Sequence, residues 1–202
     1  MLLFLDVISP IPEFCLIEDN KVVLKRKIIT NSNENLSDNI VEVYLKIKED
    51  MSLSSKLTKI AITIGPGSFT SLRVGAAFIS ALKISKNLPY YEISVKDFFN
   101  FELDSQQKEK TAFFLSSSKN QKFLIISNNN IIEYFKVETS DIKIPEQIDK
   151  IYYNFQNINC NKEVFQIKFD FLEFILQNYK NFNFKKNGII KPIYISNNKI
   201  LN

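Results

Sequence analysis

The tightest constraint on this chain is a junction one third of the way along it. Lys59 to Ile64 is a short run rich in β-branched residues, Gly65-Pro66-Gly67 ends it abruptly, and a helical pattern starts at Ser68. Gly65 and Gly67 permit backbone angles and close approaches that a Cβ forbids. Pro66 stiffens the turn, and Ser68 is placed to cap the unpaired amides of the first helical turn. A strand that passes directly into a long helix and returns as strand demands a crossover beside a sheet. The first half is therefore α/β. Chemically the junction has two readings: a helix N-terminus that holds an anion, or a tight strand-to-helix connection. It is not a Walker A loop, because no Lys-Ser/Thr pair follows the glycines.

The segments around the junction fall into a regular order. Leu2 to Ile8 is an apolar run with one acid, Asp6. Glu13 to Glu18 and Lys21 to Ile29 are β-rich and are separated by Asp19-Asn20, which accept positive φ and predict a hairpin. A polar loop spans Asn31 to Asn35. Leu36, Ile40, Val43 and Ile47 then recur at helical spacing, broadened by Val41, Tyr44 and Leu45, until Met51. Ser52 to Lys56 reads as loop. The second helix runs from Ser68 to about Lys86, and Tyr90 to Val95 resumes as strand.

Residues 102–110 are the most polar stretch, which places a connection there between a lobe at 1–101 and a lobe at 111–202. Thr111 to Ser116, Gln121 to Ser127 and Ile131 to Glu138 repeat the three-strand opening, with Asn128-Asn129-Asn130 as a turn. A short helix from about Pro145, a strand Lys150 to Phe155, a helix near Phe169 to Asn181 and an extended segment Ile189 to Ser196 follow. Two copies of three strands followed by alternating helix and strand predict a duplicated α/β fold, actin-like and ribonuclease-H-like, with a mixed sheet flanked by helices in each lobe.

Composition narrows the function classes. Hydrophobic residues make up 45% of the 202 residues and mean hydropathy is −0.08, which fits a folded globular chain. The net charge of +4 is compatible with an RNA-containing assembly, but the lysines are scattered and no run alternates cations with stacking aromatics. Cys15 and Cys160 form no Cys-x-x-Cys pair and read as free thiols in a reducing compartment. The apolar opening Met1 to Ile8 is too short for a signal-peptide core or a membrane span; the expectation is a buried strand in a cytoplasmic protein. There is no histidine, so neither a His-based metal site nor a Ser-His or Cys-His nucleophile pair is available.

The string Gly65-Pro66-Gly67-Ser68-Phe69-Thr70-Ser71-Leu72-Arg73-Val74-Gly75 resembles the signature of the TsaB (YeaZ) family, Gly-Pro-Gly-Ser-Phe-Thr-Gly-Leu-Arg-Ile-Gly. Ser71 stands for a glycine and Val74 for an isoleucine. Lys191-Pro192-Ile193-Tyr194-Ile195 is similar to the family's late Pro-Val-Tyr-Leu. Two further segments depart. Where the family opens with Asp-Thr-Ser-Thr, this chain has Asp6-Val7-Ile8-Ser9, and where the family shows Asp-Ala-Arg, it has Ser116-Ser117-Ser118. Both changes remove polar groups from a nucleotide site between lobes. Asp6 remains as the one acid at a plausible strand end, either a magnesium ligand or a residue that orders its own loop.

The resemblance also implies what the chain does. Between Val74 and Leu82 the second helix has no charge, so it is apolar or small on all sides. Phe78 and Leu82, with Val74, are expected to cover the sheet, leaving Arg73, Ala77, Ser80, Ala81 and Ile84 as a second stripe. Periodicity alone allows that stripe to pack on the first helix or on another molecule. TsaB-like proteins pair through these two helices, which implies an interface of Ile40, Val43, Tyr44 and Ile47 with the second stripe. The implied partners are a catalytic TsaD-like subunit, a TsaE-like ATPase, tRNA through the complex, and a second copy when alone. ATP and magnesium belong to the complex, with no cofactor or metal of the chain's own. The competing expectation is a nucleotide hydrolase or phosphotransferase built on Asp6 and the Gly65–Thr70 loop.

Overall fold

The computed structural model of the chain describes residues 1–31, 34–117, 121–129, 131–137 and 142–195. The first sheet is assembled from β1 (Leu2–Asp6), β2 (Glu13–Glu18), β3 (Lys21–Lys27), β4 (Lys59–Thr63) and β5 (Tyr90–Ile93) in the order β3-β2-β1-β4-β5. β1 lies between an antiparallel β2 and a parallel β4, with Leu2 opposite Lys59 and Leu5 opposite Ile62. That parallel pair is the crossover required by the Gly65 junction. Asp19 and Asn20 both take positive φ, 49° and 62°, and close the expected β2–β3 hairpin.

The helices of this half are α1 (Leu36–Asp50), α2 (Leu53–Lys56), α3 (Phe69–Lys86) and α4 (Val95–Glu102). α1 buries Leu36, Ile40 and Ile47 of the expected stripe, with Tyr44 buried in place of Val43, which is half-buried. α2 replaces the loop expected at Ser52 to Lys56. The strand expected to reach Val95 stops at Ile93, because Ser94 starts α4 with a capping box to Asp97. The polar connection at 102–110 is largely helical too: α5 (Ser105–Lys110) is capped reciprocally by Asp104 and Gln107.

The second sheet repeats the first topology. Its strands are β6 (Thr111–Ser116), β7 (Lys122–Asn128), β8 (Ile131–Val137), β9 (Lys150–Tyr153) and β10 (Phe165–Lys168), in the order β10-β9-β6-β7-β8. Pairing is again antiparallel on one side of β6 and parallel on the other. The crossovers differ. Among the described residues no helix joins β8 to β9 or β9 to β10. The helix expected near Pro145 is a single turn closed by Ile148 N–H to Pro145 O at 3.0 Å. Ile142, Ile144, Ile148 and Ile158 take over the helix's role and cover Ala112, Phe114, Leu124 and Ile126 on the outer face. Strand β9 ends at Tyr153, short of the expected Phe155, and β10 adds a strand that no sequence pattern predicts.

The other face of the second sheet shares a core with the first lobe, through Phe113, Leu115, Phe123 and Ile125. Phe98 of α4 meets Phe113, Tyr152 and Phe169 at centroid distances of 4.6 to 5.4 Å. α6 (Phe171–Asn178) continues into a 3-10 turn at Tyr179–Asn181. From Phe182 the chain returns along the first lobe while keeping contacts with the second, Phe182 meeting Phe174 at 6.0 Å. Phe182 stacks on Tyr91 at 4.2 Å, and Lys185 bridges to Tyr90 on the open edge of β5. The extended segment at Ile189 forms no regular strand. Ser32, Asn33, Ser118, Asn130, Glu138 and Ser196, on which parts of the sequence reading fall, lie outside the described residues.

Candidate functional site

The Gly65–Thr70 loop sits where β4 meets α3, next to the end of β1. Asp6 is buried there at 4% exposure. Its Oδ1 accepts from the amides of Ile8 (2.9 Å) and Ser9 (3.2 Å) and from the Thr63 hydroxyl (2.9 Å). Thr63 Oγ1 in turn accepts from Val7 N–H at 3.0 Å. Burial pushes the Asp6 carboxyl above the usual range, and these hydrogen bonds oppose that shift only in part. The geometry is that of a residue ordering its own strand end. Glu13 and Asp170 border a small cavity of about 70 Å³ beside it, and Glu13 is paired with Lys25 at 2.8 Å. Among the described residues no group of three or more His, Cys, Asp or Glu is arranged to hold a metal.

The glycines of the loop serve close approaches. Gly65 has φ +118°, and a Cβ there would meet Ile193 O at 2.7 Å. The same strap residue donates its N–H to Ile64 O at 2.7 Å. A Cβ on Gly67 would meet Ser117 Oγ at 3.0 Å. Ser68 caps α3, its Oγ accepting from Ser71 N–H, while its own N–H donates to Ser117 Oγ at 3.0 Å. One turn on, Gly75 lets α3 press on Val7, with 2.7 Å between an added Cβ and Val7 Cγ1. The loop is thus clasped by the second lobe and by the returning chain.

The Ser68 amide that would head an anion cradle is bonded to Ser117, the space over Gly67 is filled, and Val7 and Ile8 are fully buried. A groove of about 480 Å³ lies alongside, lined by Thr70, Ser71, Ser117, Lys27, Leu36 and Ser37 among others. Cys15 is buried at the β2 core, and burial pushes its thiol far up, so it is no nucleophile.

On α3 the residues facing the sheet are Leu72, Gly75, Ile79 and Leu82. Phe78 turns instead towards α1 and meets Tyr44 at 5.2 Å and Phe14 at 5.6 Å, which corrects its place in the expected sheet-facing set, while Leu82 is buried as expected. The second stripe is outside: Arg73, Ala77 and Ala81 are exposed, Ser80 is half-buried, and Ile84 is 76% exposed. The α1 half of the expected interface is different. Ile40, Tyr44 and Ile47 lie in the chain's own core and have no surface to offer a partner, while Val43 is half-buried. The exposed apolar residues of α1 are Val41 and Leu45. At the start of α3, Arg73 lies over Phe69 at 3.7 Å, and Phe69 meets Tyr194 of the strap at 4.9 Å.

A family model described as TsaD, tRNA N6-adenosine threonylcarbamoyltransferase, matches residues 26–189, most of the chain. The chain belongs to the TsaD family. No curated protein matches the sequence. Among solved structures, an uncharacterised Pseudomonas aeruginosa protein with similarity to peptidase YeaZ has a TM-score of 0.61 at 12% identity. YeaZ from Pseudomonas aeruginosa has a TM-score of 0.57 at 12% identity. Each comparison covers 96% of this chain and 99% of the other. The TsaD-family chain therefore has the YeaZ fold, in agreement with the Gly65–Gly75 string. Among its described residues no helix is long and apolar enough to cross a membrane.

Sequence reasoning missed two parts of the site in this TsaD-family chain. Thr63 was read only as a strand residue, although a hydroxyl opposite a buried acid is a usable signal. The clasp by Ser117 and Ile193 joins residues far apart in sequence, and no local pattern announces it.

Proposed function

We propose that this TsaD-family chain is a TsaB-like pairing subunit of the tRNA N6-threonylcarbamoyladenosine machinery. It holds a catalytic TsaD-like subunit through α3 and performs no bond chemistry itself. The observation that carries the reading is the stripe Arg73, Ala77, Ala81 and Ile84, uncharged beyond Arg73 and exposed along a helix whose opposite side is core. Small residues permit a second helix to approach closely, and contiguous exposed apolar surface marks an interaction site. Val41 and Leu45 add exposed apolar surface on α1.

Action by contact is a population shift: the chain binds the transfer-competent state of its partner more tightly than the idle one. The partner, a TsaE-like ATPase and the tRNA complete the assembly, with ATP and magnesium used by the complex. Alone, the chain pairs with itself through the same stripe. The buried Asp6, the clasped motif loop and the lack of histidine support a non-catalytic role.

The rival reading, a nucleotide hydrolase or phosphotransferase, has one observation in its favour, the groove beside Thr70 and Ser71. Reconstitution decides between them. Threonylcarbamoyl transfer to unmodified tRNA by the TsaD-like subunit is expected to require this chain, which alone turns over no ATP above background. ATP turnover by the isolated chain, lost in Asp6→Asn, would establish the enzyme instead.

A further inference from the structure

The surplus of positive charge, scattered in the sequence, gathers at one end of the first lobe. This end is formed by the starts of β1, β4 and β5 and the last turn of α3, opposite to the motif loop. Met1 O accepts from Thr58 N–H, which sets the amino terminus beside Lys59. Lys86 Nζ reaches Ser54 O at 3.2 Å, drawing the end of α3 to α2 and its terminal Lys56. Lys83 Nζ donates to Gly188 O and lies 4.6 Å over the Tyr90 ring. The returning chain brings Lys185 and Lys186 to the same place through its bridge at Tyr90.

Acids oppose this charge only in part. Glu92 is paired with Lys185 at 3.0 Å, and Asp50 at the end of α1 is paired with Arg26 at 3.1 Å, leaving Glu49 and, at the β2–β3 turn beside Met1, Glu18 and Asp19. With a net charge of only +4 on the whole chain, the rest of the molecule is close to neutral. Lys56, Lys59 and Lys186 are exposed, and the described contacts give none of them a carboxylate. Lys59 Nζ lies 4.7 Å over the Phe184 ring, so its position is defined by an aromatic platform. A predominantly positive patch with positioned ammonium groups fits a polyanion whose charges are regularly spaced.

We propose that this end of the first lobe binds the phosphate backbone of RNA, with Lys56, Lys59 and Lys186 as the principal cations. The inference rests on the reading above, which places the chain in an assembly that acts on tRNA. Contact is to phosphates and carries no base specificity. Lys83 and Lys86, engaged with backbone carbonyls, shape the surface and add to its field.

The test is fluorescence anisotropy of the full chain with a labelled, unmodified tRNA transcript, titrated in KCl from about 50 to 200 mM. If about four phosphates are engaged, affinity falls roughly 50- to 150-fold across that range. Lys59→Glu/Lys186→Glu is expected to weaken binding about tenfold or more and to flatten the logarithmic salt slope by about two. A charge-matched control in the second lobe, Lys143→Glu/Lys168→Glu, should leave affinity and slope close to those of the unaltered chain. Equal loss in both variants would assign the effect to net charge and overturn the proposal. So would absence of tRNA binding, or binding to phosphatidylglycerol vesicles in its place. Loss of affinity for the TsaD-like subunit in Lys59→Glu/Lys186→Glu would make the patch a protein interface, again against the proposal. Threonylcarbamoyl transfer by the reconstituted complex is measured separately: transfer that persists when the chain binds no tRNA refutes this surface and leaves the pairing role standing.

Discussion

Asp6 holds three donors at the end of a strand that is otherwise entirely apolar. Because burial raises its folded pKa above the ordinary carboxylate value, the folded state keeps a proton that the unfolded state releases. Its stabilising contribution is complete below that unfolded value and is lost as pH rises through the raised folded one. Asp6→Asn keeps the acceptor oxygen and removes the charge, so urea unfolding between about pH 4 and 7 should lose part of its downward slope, with stability at neutral pH unchanged or greater. Asp6→Ala leaves the Ile8 and Ser9 amides and the Thr63 hydroxyl without an acceptor and is expected to cost about 2–4 kcal/mol. Gly75→Ala forces α3 away from Val7, and its loss in urea unfolding should be about 1–3 kcal/mol. The acid and the glycines stand out in the sequence, but the partners Ser117 and Ile193 do not, because folding alone brings them to the loop.

At the scale of elements, α1 and α3 and the β2–β3 hairpin were legible because each carries a local signal: helical spacing, a glycine junction, two residues that accept positive φ. The face of α3 was not. A helix without charge from Val74 to Leu82 offers two apolar stripes of similar quality, and only packing shows that Ile79 and Leu72 go inward while Phe78 joins Tyr44. β10 escaped notice because it is four residues long, with its two ends exposed. α2, also four residues long, reads equally well as loop from sequence. The outward position of the second stripe gives a prediction at this scale. Ala77→Arg and Ala81→Glu place charge on residues already in solvent, so thermal unfolding of the chain alone should shift by no more than about 3 °C. A larger drop would mean that the stripe belongs to the core.

The whole molecule is two sheets of the same topology; the first has crossover helices, and among the described residues the second has none between β8 and β10. The duplicated order was visible in the sequence, whereas the absence of helices near Pro145 was not, because Ile142, Ile144 and Ile148 satisfy the outer face of the sheet without one. The helices of the first lobe carry the exposed stripe, and the chain's return at 182–195 secures the motif loop behind it. Function then rests on a surface, and the account is tested by its affinity. Isothermal titration of the full chain with the TsaD-like subunit of the same organism should show binding that Ala81→Glu weakens by about a hundredfold or more, the cost of an uncompensated charge in a desolvated contact, while the variant stays folded. An affinity left unchanged by Ala81→Glu, or no binding by the unaltered chain, would contradict it.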